Sequence, residues 1–316
     1  MLSRVAESIY WMSRQVERAE NLARYLEVTI NLTLDHPEHL IDPWDPLVQV
    51  TGDEATFRSR HGVANENSVV QFLAFDHDYP NSMITCLSLA RENARGVREK
   101  LSSEAFEQIN EFYHFVMDAS RQTGFCPTSK FFDDVRKHTL LWNGILYSTM
   151  AHDPTWHFAN VGRMLERADQ TSRILDVKYF NLLPSAEHVG TAIDDLQWSA
   201  LLLAVSGFEA YLREHHRVEI PKVVEFFLFH RTFPRSVRFC VHSALESMNE
   251  IEEASTMERS SEAIKLTEQL NHRVTFTRVE EVLAGGMHGF VDRLQLELNQ
   301  IANAFREENF QLAVPL

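Results

Sequence analysis

Residues Ser13–Val28 read SRQVERAENLARYLEV, and residues Gly162–Val177 read GRMLERADQTSRILDV. The two stretches are related by a constant offset of 149 positions, from Arg14 to Arg163. Three arginines and one glutamate keep their places in both stretches, and aspartate replaces glutamate at two further places. A motif of this length that recurs once within a chain, at a spacing far beyond that of short solenoid repeats, indicates a duplicated unit of domain size.

A second pair of motifs supports the duplication. Each consists of a phenylalanine-rich tetrapeptide and a proline-led heptapeptide that ends in cysteine: Phe72–Phe75 with Pro80–Cys86, and Phe226–Phe229 with Pro234–Cys240. Their offset is 154 positions, from Pro80 to Pro234, so a short insertion separates the two motifs in the second unit. Because both motifs recur in the same order, we predict two tandem units, residues 1–151 and residues 152–316, that pack as one body.

The spacing of the apolar residues predicts an all-α fold. Glycine and proline are scarce, at 11 and 10 of 316 residues, and no convincing strand-like alternation occurs. In the first repeat the apolar residues alternate at steps of four and three, which is the seam of a packed helix bundle. The seam consists of Val5, Ile9, Met12, Val16, Ala19, Ala23, Leu26 and Ile30. We therefore predict a first helix over Leu2–Asp35 and, from the duplication, a helical bundle with pseudo-two-fold symmetry.

Further helices are predicted from the same spacing at about 81–100, 103–124, 129–151 and 234–255. Pro80 and Pro234 are predicted to lie in the first turns of the helices that follow them, where proline is tolerated. The last helical segment is predicted to reach about Glu308, after a break at Gly285-Gly286.

The charge of the chain excludes some classes of partner. The net charge is −15 and the isoelectric point is about 5.4, which argue against a nucleic-acid backbone or an anionic membrane surface as the main partner. No apolar run approaches the roughly 20 residues that a membrane-spanning helix needs. Cys86, Cys126 and Cys240 are far apart and lack zinc-site spacing. We therefore expect a cytoplasmic protein with reduced cysteines.

The repeated charges are the candidate binding residues. They are Arg14, Glu17, Arg18, Glu20 and Arg24 in the first copy, and Arg163, Glu166, Arg167, Asp169 and Arg173 in the second. On a heptad wheel the side away from the apolar seam holds Arg14, Glu17, Arg18, Asn21 and Arg24, with their counterparts Arg163, Glu166, Arg167, Gln170 and Arg173. One interpretation is a solvated face with ion pairs inside each helix. The other is a buried or cleft-facing arginine–carboxylate network, because every arginine stays arginine, whose planar fork suits carboxylate or phosphate.

A third charged group occurs in one unit only. Arg91, Glu92, Asn93 and Arg95 follow the first proline-led motif, whereas the corresponding stretch of the second unit has no arginine. Such asymmetry is typical of a duplication in which one unit keeps a binding role and the other becomes support. A basic stripe on the surface is an equal alternative.

Enzyme and metal motifs are weak in this sequence. A di-iron bundle needs two Glu-x-x-His motifs, and Glu111–His114 offers a single good candidate. Asp76-His77-Asp78 could bind a metal, but its counterpart in the second unit, His230-Arg231-Thr232, could not. We therefore predict no metal site and no cofactor, and we assign no catalytic residue.

The chain resembles the Alpha-E family of bacterial all-helical domains, which are named for a Glu-Arg pair. The segments that carry the resemblance are Ile9–Arg14, Glu17–Glu20, Phe72–Arg95, His152-Asp153 with Trp156 and Phe158, Gly162–Arg173 and Phe233–Val237. The resemblance implies an all-helical domain that occurs beside or fused to circularly permuted ATP-grasp proteins and transglutaminase-like peptidases. It implies no particular reaction.

Two functions are consistent with these observations. The first is an accessory protein that holds an anionic peptide or a small carboxylate for an ATP-grasp-type ligase. The second is a helical enzyme of the same pathway, with Glu17 or Glu166 as acid–base. In either case, a two-fold arrangement would direct four guanidiniums, from Arg14, Arg18, Arg163 and Arg167, towards one cleft. An anionic ligand between the two units would supply the missing counter-charge.

Overall fold

The computed structural model describes residues 2–35, 44–122, 126–181, 192–255 and 261–310, and it forms no β-strand in those ranges. The helices before residue 150 are α1 (Ser3–Asp35), α2 (Trp44–Thr51), α3 (Glu54–His61), α4 (Glu66–Val70), α5 (Met83–Gly96), α6 (Ser103–Arg121) and α7 (Ser129–Thr149). A π-helical turn (Gln71–Phe75) follows α4, and a 3-10 turn (Arg98–Lys100) follows α5.

Eight α-helices follow in the described part of the chain after residue 150. They are α8 (Pro154–Asn181), α9 (Ala192–Ala204), α10 (Phe208–His215), α11 (Ile220–Phe229), α12 (Val237–Glu253), α13 (Glu262–Phe276), α14 (Val279–Gly285) and α15 (Met287–Phe310). The prediction of an all-α fold is confirmed. The first predicted helix differs from α1 by one residue at its start, and the glycine pair separates α14 from α15 as expected.

The two proline-led motifs begin their helices differently from the prediction. Pro80 and Pro234 lie in the turns before α5 and α12, not in the first turns of these helices. Ser82 and Ser236 are the N-caps: each hydroxyl accepts a hydrogen bond from the backbone N–H three residues later, at 3.3 and 3.1 Å. A serine hydroxyl accepts a hydrogen bond from a backbone N–H in the first turn, whereas proline has no side-chain acceptor for it. The helix therefore begins after the serine.

Helices α1 and α8 pack against each other and against different sets of neighbours. Helix α1 also packs against α5 and α7, and α6 packs against both of these helices. Helix α8 also packs against α12 and α15, and α13 packs against both of these. The short helix α2 packs against α8, whereas α9 packs against α1. Each of the two long helices is therefore covered by elements from both parts of the chain.

Burial follows the predicted seam and extends beyond it. Six seam residues of α1, from Ile9 to Leu26, are at most 1% exposed, and Tyr10 is fully buried on another side of the helix. The buried residues of all the packed helices form one continuous apolar cluster. Because α1 is covered on several sides, its charged face is also removed from water.

The closest approach of α1 and α8 requires a residue without a side chain. A Cβ atom placed on Gly162 would lie 2.4 Å from the backbone oxygen of Tyr10. The same place in the first repeat holds the small, buried Ser13. Small residues at this crossing allow the arginines and glutamates of the two helices to reach each other.

Replacing Gly162 by alanine is expected to lower the free energy of unfolding by about 1–3 kcal/mol, because a backbone atom must shift to admit the methyl group. Gly144→Ala in α7 is the matched control, since no atom lies within 4 Å of the added Cβ there. That control should be neutral or stabilising by up to about 1 kcal/mol. Urea unfolding of both variants checks the expectation, and equal stability would contradict the close approach.

Candidate functional site

The Glu-Arg pairs of the two repeats bind each other across the α1–α8 interface. Glu17 on α1 accepts two hydrogen bonds from Arg167 on α8, at 2.8 Å from Nε and 2.7 Å from Nη2. Glu166 on α8 accepts two from Arg18 on α1, at 2.7 Å from Nε and 3.0 Å from Nη2. Such fork-to-carboxylate pairs are stronger and more directional than single hydrogen bonds. Two reciprocal ion pairs, each with two hydrogen bonds, therefore join the two helices.

Glu166 binds a second arginine of α1. Arg14 donates from Nε to the carboxylate at 2.9 Å, and its Nη1 donates to the Tyr10 hydroxyl at 2.9 Å. Burial alone would raise the pKa of Glu166, but the charges of Arg18 and Arg14 and their hydrogen bonds lower it to about 2. Because its pKa is this low, Glu166 is ionised at every physiological pH although it is fully buried.

Glu17 binds a second arginine that the sequence did not single out. Arg235 precedes the N-cap of α12 and donates to Glu17 at 3.0 Å and to Glu20 at 2.6 Å. It is 7% exposed. The signal that could have revealed it is a substitution within the repeated heptapeptide, in which Asn81 of the first unit corresponds to Arg235 of the second.

The same cluster extends to the start of the α9–α10 connection. Arg24 donates to Glu20 at 2.6 Å from Nη2, and its Nη1 donates to the Ser206 hydroxyl at 2.7 Å and the Ala204 carbonyl at 3.1 Å. Burial alone would raise the pKa of Glu20, but Arg235 and Arg24 lower it to about 2. Burial and repulsion from Arg235 lower the pKa of Arg24 to about 10.

The network is more open on the side of Arg18, whose side chain is 21% exposed. Arg18 Nη1 donates to the amide oxygen of Asn81 at 2.5 Å, and the amide nitrogen of Asn81 donates to Asp53 at 3.3 Å. Asp169 binds Arg173 at 2.7 Å within α8, and this pair is also partly exposed. Polar groups that water can reach therefore border the buried network here.

Arg163 is the exception among the repeated arginines. Its Nη1 donates to the side-chain oxygen of Asn143 at 3.1 Å and its Nη2 to that of Asn160 at 2.6 Å, while its buried Nε has no hydrogen-bond partner. Within the described ranges no carboxylate forms an ion pair with it. Burial and repulsion from Arg167 lower the pKa of Arg163 to about 10.

The third predicted charge group lies apart from this network. Arg91 donates to Asn110 of α6 at 2.7 Å, and its guanidinium lies 4.8 Å from the ring centre of Tyr113. Arg95 and Glu92 form an exposed pair at 3.0 Å, with more than half of each side chain exposed. Asn93 is half-buried on the same helix. These residues contribute to the outer contact of α5 with α6 and the surface around it.

Two findings bear on metal and membrane binding. In the part of the chain that the structure describes, no three histidine, cysteine, aspartate or glutamate side chains come together as metal ligands. Asp76 instead accepts hydrogen bonds from Arg60 at 3.0 Å and from the backbone N–H of Asp78 at 2.8 Å. Among the described helices, none combines the length and apolar character needed to cross a bilayer.

Comparison with known proteins identifies a family and relatives without assigned roles. The model of the Alpha-E family, described as "a predicted alpha-helical domain with a conserved ER motif", matches residues 1–310. Uncharacterised proteins of Mycobacterium bovis and Mycobacterium tuberculosis are each 24% identical over 339 aligned positions, covering 99% of this chain. The chain spans 37% of the length of these relatives. No solved structure gives a significant match.

Proposed function

The chain belongs to the Alpha-E family, and on this premise we propose that it is an accessory binding protein for an ATP-grasp-type ligase. In this role it holds an anionic peptide or a small carboxylate while the ligase carries out the chemistry. The observation that carries the proposal is the excess of guanidiniums over carboxylates between α1, α8 and α12.

The excess is found by counting the charged side chains of the network. Apart from the Arg173–Asp169 pair, its described arginines are Arg14, Arg18, Arg24, Arg163, Arg167 and Arg235, and its described carboxylates are Glu17, Glu20 and Glu166. Among these residues, six positive charges against three negative ones leave three uncompensated. Nearby Asp53 is bonded to Tyr79 and Asn81. In a chain of net charge −15, a local positive excess supports recognition of an anion.

The protonation of Glu166 and the contacts of Glu17 favour the accessory role over the enzyme alternative. A general acid–base near neutral pH needs a pKa close to 7. Glu166 has its pKa lowered to about 2, so it is a very weak base, and Arg14 and Arg18 occupy both its oxygens. Glu17 is similarly bound by Arg167 and Arg235. Both carboxylates therefore orient arginines, and Glu166 is too weak a base to accept a proton near neutral pH.

We also propose that residues 1–151 and 152–316 are two copies of one unit related by a pseudo-two-fold axis. The reciprocal bonds of Glu17 with Arg167 and of Glu166 with Arg18 support this arrangement. The packing of the short helices supports it as well, because α2 packs against α8 whereas α9 packs against α1. An experimental structure in which α1, α5 and α7 do not superpose on α8, α12 and α15 would contradict it.

The proposed partner is the ligase, with a transglutaminase-like peptidase as the alternative that the family resemblance implies. The relatives carry much more chain than this protein spans, which supports a function shared with a further domain or subunit. Helix α7 presents three large apolar side chains to solvent: Leu140 at 60%, Leu141 at 52% and Tyr147 at 64% exposure. Leu140 and Tyr147 lie seven residues apart on one face of α7, and exposed apolar residues that share a face are typical of protein-binding surfaces, so we assign the ligase contact to this face.

Co-purification tests the partner. Tagged protein produced together with its neighbouring ligase is expected to retain the ligase, and Leu140→Glu with Tyr147→Glu is expected to lose most of it. Leu296→Glu on α15 is the control, since that leucine is 62% exposed on a different helix. Failure of the wild type to retain the ligase, or equal loss in the control, would contradict the assignment.

The ligand is tested by changing guanidiniums to ammonium groups at constant charge. Arg18→Lys with Arg167→Lys removes two planar forks and is expected to weaken binding of a carboxylate ligand by about tenfold or more. Thermal-shift screening with peptides, amino acids and nucleotides provides the measurement. Arg91→Lys with Arg95→Lys is the control pair. If no anion stabilises the wild type, the arginines of the network are purely structural, and if the two double variants respond alike, Arg18 and Arg167 are structural.

A further inference from the structure

The second repeat leaves one arginine without a carboxylate. In the first repeat Arg14 bonds to Glu166, and its guanidinium lies 5.3 Å from the ring centre of Trp11. At the matching place of the second repeat, Arg163 has only amide oxygens as acceptors, from Asn143 and Asn160. Its Nε–H is buried and has no hydrogen-bond partner. Among the described residues, the guanidinium thus lacks both the charge partner and the aromatic contact of its counterpart.

The missing carboxylate has a structural cause. The residue that would pair with Arg163, by analogy with Glu166 and Arg14, is Glu17. Arg235 binds that glutamate together with Arg167, whereas the residue corresponding to Arg235 in the first unit is the neutral Asn81. Arg235 therefore takes the position at Glu17 that Arg163 would otherwise occupy.

The side chains that accept hydrogen bonds from Arg163 are polar and uncharged. The amide nitrogen of Asn160 donates to the hydroxyls of Ser247 and Ser243 at 2.8 and 3.1 Å. The Ser247 hydroxyl also lies 3.2 Å from Nδ1 of His157, and burial lowers the pKa of His157. Asn143 of α7 and Asn160 of α8 thus contact the guanidinium directly, and serine hydroxyls of α12 hold Asn160 in place.

A charged guanidinium held mainly by neutral groups is costly, because burial removes hydration that only an anion replaces fully. Arg163 and Asn143 are both partly exposed, so a small solute can reach them. A single positive charge matches a singly charged carboxylate better than a phosphate dianion, and the fork geometry suits two carboxylate oxygens.

We propose that Arg163, bordered by Asn143, Asn160 and Ser243, is the subsite that binds the free carboxylate of the ligand. The inference rests on the proposed function and adds the position and the chemical class of the recognised group. Binding would replace neutral amide contacts of the guanidinium with a direct ion pair.

The test is calorimetric titration of the whole chain with N-acetylglycine, its neutral N-methylamide and inorganic phosphate. Wild type is expected to bind N-acetylglycine and to bind the amide and phosphate at least tenfold more weakly. Arg163→Gln is expected to lose the preference for the acid and to melt no lower than wild type, because no carboxylate loses its partner. Arg163→Lys is expected to keep a reduced preference, and it provides a second variant if the glutamine protein fails to fold.

The outcomes separate this subsite from the wider proposal. If the wild type binds N-acetylglycine and both Arg163 variants bind it equally well, the subsite is wrong while an anion site elsewhere in the network stands. If phosphate binds more tightly than the acid, the assigned class is wrong. If the wild type binds neither these probes nor any peptide with a free carboxylate, the subsite and the proposed ligand-binding function both fail.

Discussion

Replacing Glu166 by alanine is expected to lower the free energy of unfolding by about 3–5 kcal/mol, the loss that follows when one partner of a buried ion pair is removed. Glu166 is fully buried and accepts hydrogen bonds from Arg14 and Arg18, whose side chains are 11% and 21% exposed. Without the carboxylate these guanidiniums face each other with no counter-charge. Urea unfolding followed by circular dichroism gives the measurement.

The matched control is Glu92→Ala on α5. Glu92 also pairs with an arginine, Arg95, but its side chain is 59% exposed. An exposed pair of this kind contributes about 0–1 kcal/mol, so the control should unfold close to wild type. If the Glu166 variant loses no more stability than the Glu92 variant, the network is not buried in solution.

Acidification is expected to remove the stabilisation that Glu166 provides. The pKa of this carboxyl is about 2 in the folded protein, against 4.5 for an unperturbed glutamate. Above pH 4.5 the group is ionised in both states and its contribution is complete. Below that pH the unfolded chain takes up the proton first, so stability falls as the pH drops towards 2. The contribution at stake is about 3 kcal/mol, since each pKa unit corresponds to about 1.4 kcal/mol.

The difference between the wild type and Glu166→Gln isolates this effect from other titrating groups. Glutamine resembles the protonated acid, so the stability difference between the two proteins should be constant above about pH 5 and should shrink below it. Urea unfolding at intervals between pH 7 and pH 3 provides the curve. A difference that is independent of pH would show that Glu166 is not ionised against the arginines.

Much of the helical framework follows from local sequence. The apolar residues of α1 recur at alternating spacings of four and three, and this pattern predicted the extent of the helix to within one residue. Both the apolar spacing and the proline that follows the helix are local features of the sequence. The starts of α5 and α12 were placed too early. The prediction placed Pro80 and Pro234 in the first turns, but the N-caps Ser82 and Ser236 determine where the helices begin.

The pairing of the charged residues could not be derived in the same way. Retention of arginine in both copies indicated a specific role, and the burial of Glu17 and Glu166 agrees with the buried interpretation of their helix face. Arg235 was missed because its partner Glu20 lies 215 positions away in the chain, and only the tertiary packing brings them together. For the same reason no sequence pattern distinguishes Arg163, which lacks a carboxylate, from Arg14.

We propose that the arginines that the network's own carboxylates leave uncompensated bind an anionic peptide or small carboxylate. Calorimetric titration of the wild-type protein with a tripeptide acid and with the same tripeptide as its C-terminal amide tests this most directly. The account predicts saturable binding of the acid to one site per chain and at least tenfold weaker binding of the amide. Equal binding of the two peptides, or no binding of either, would contradict it.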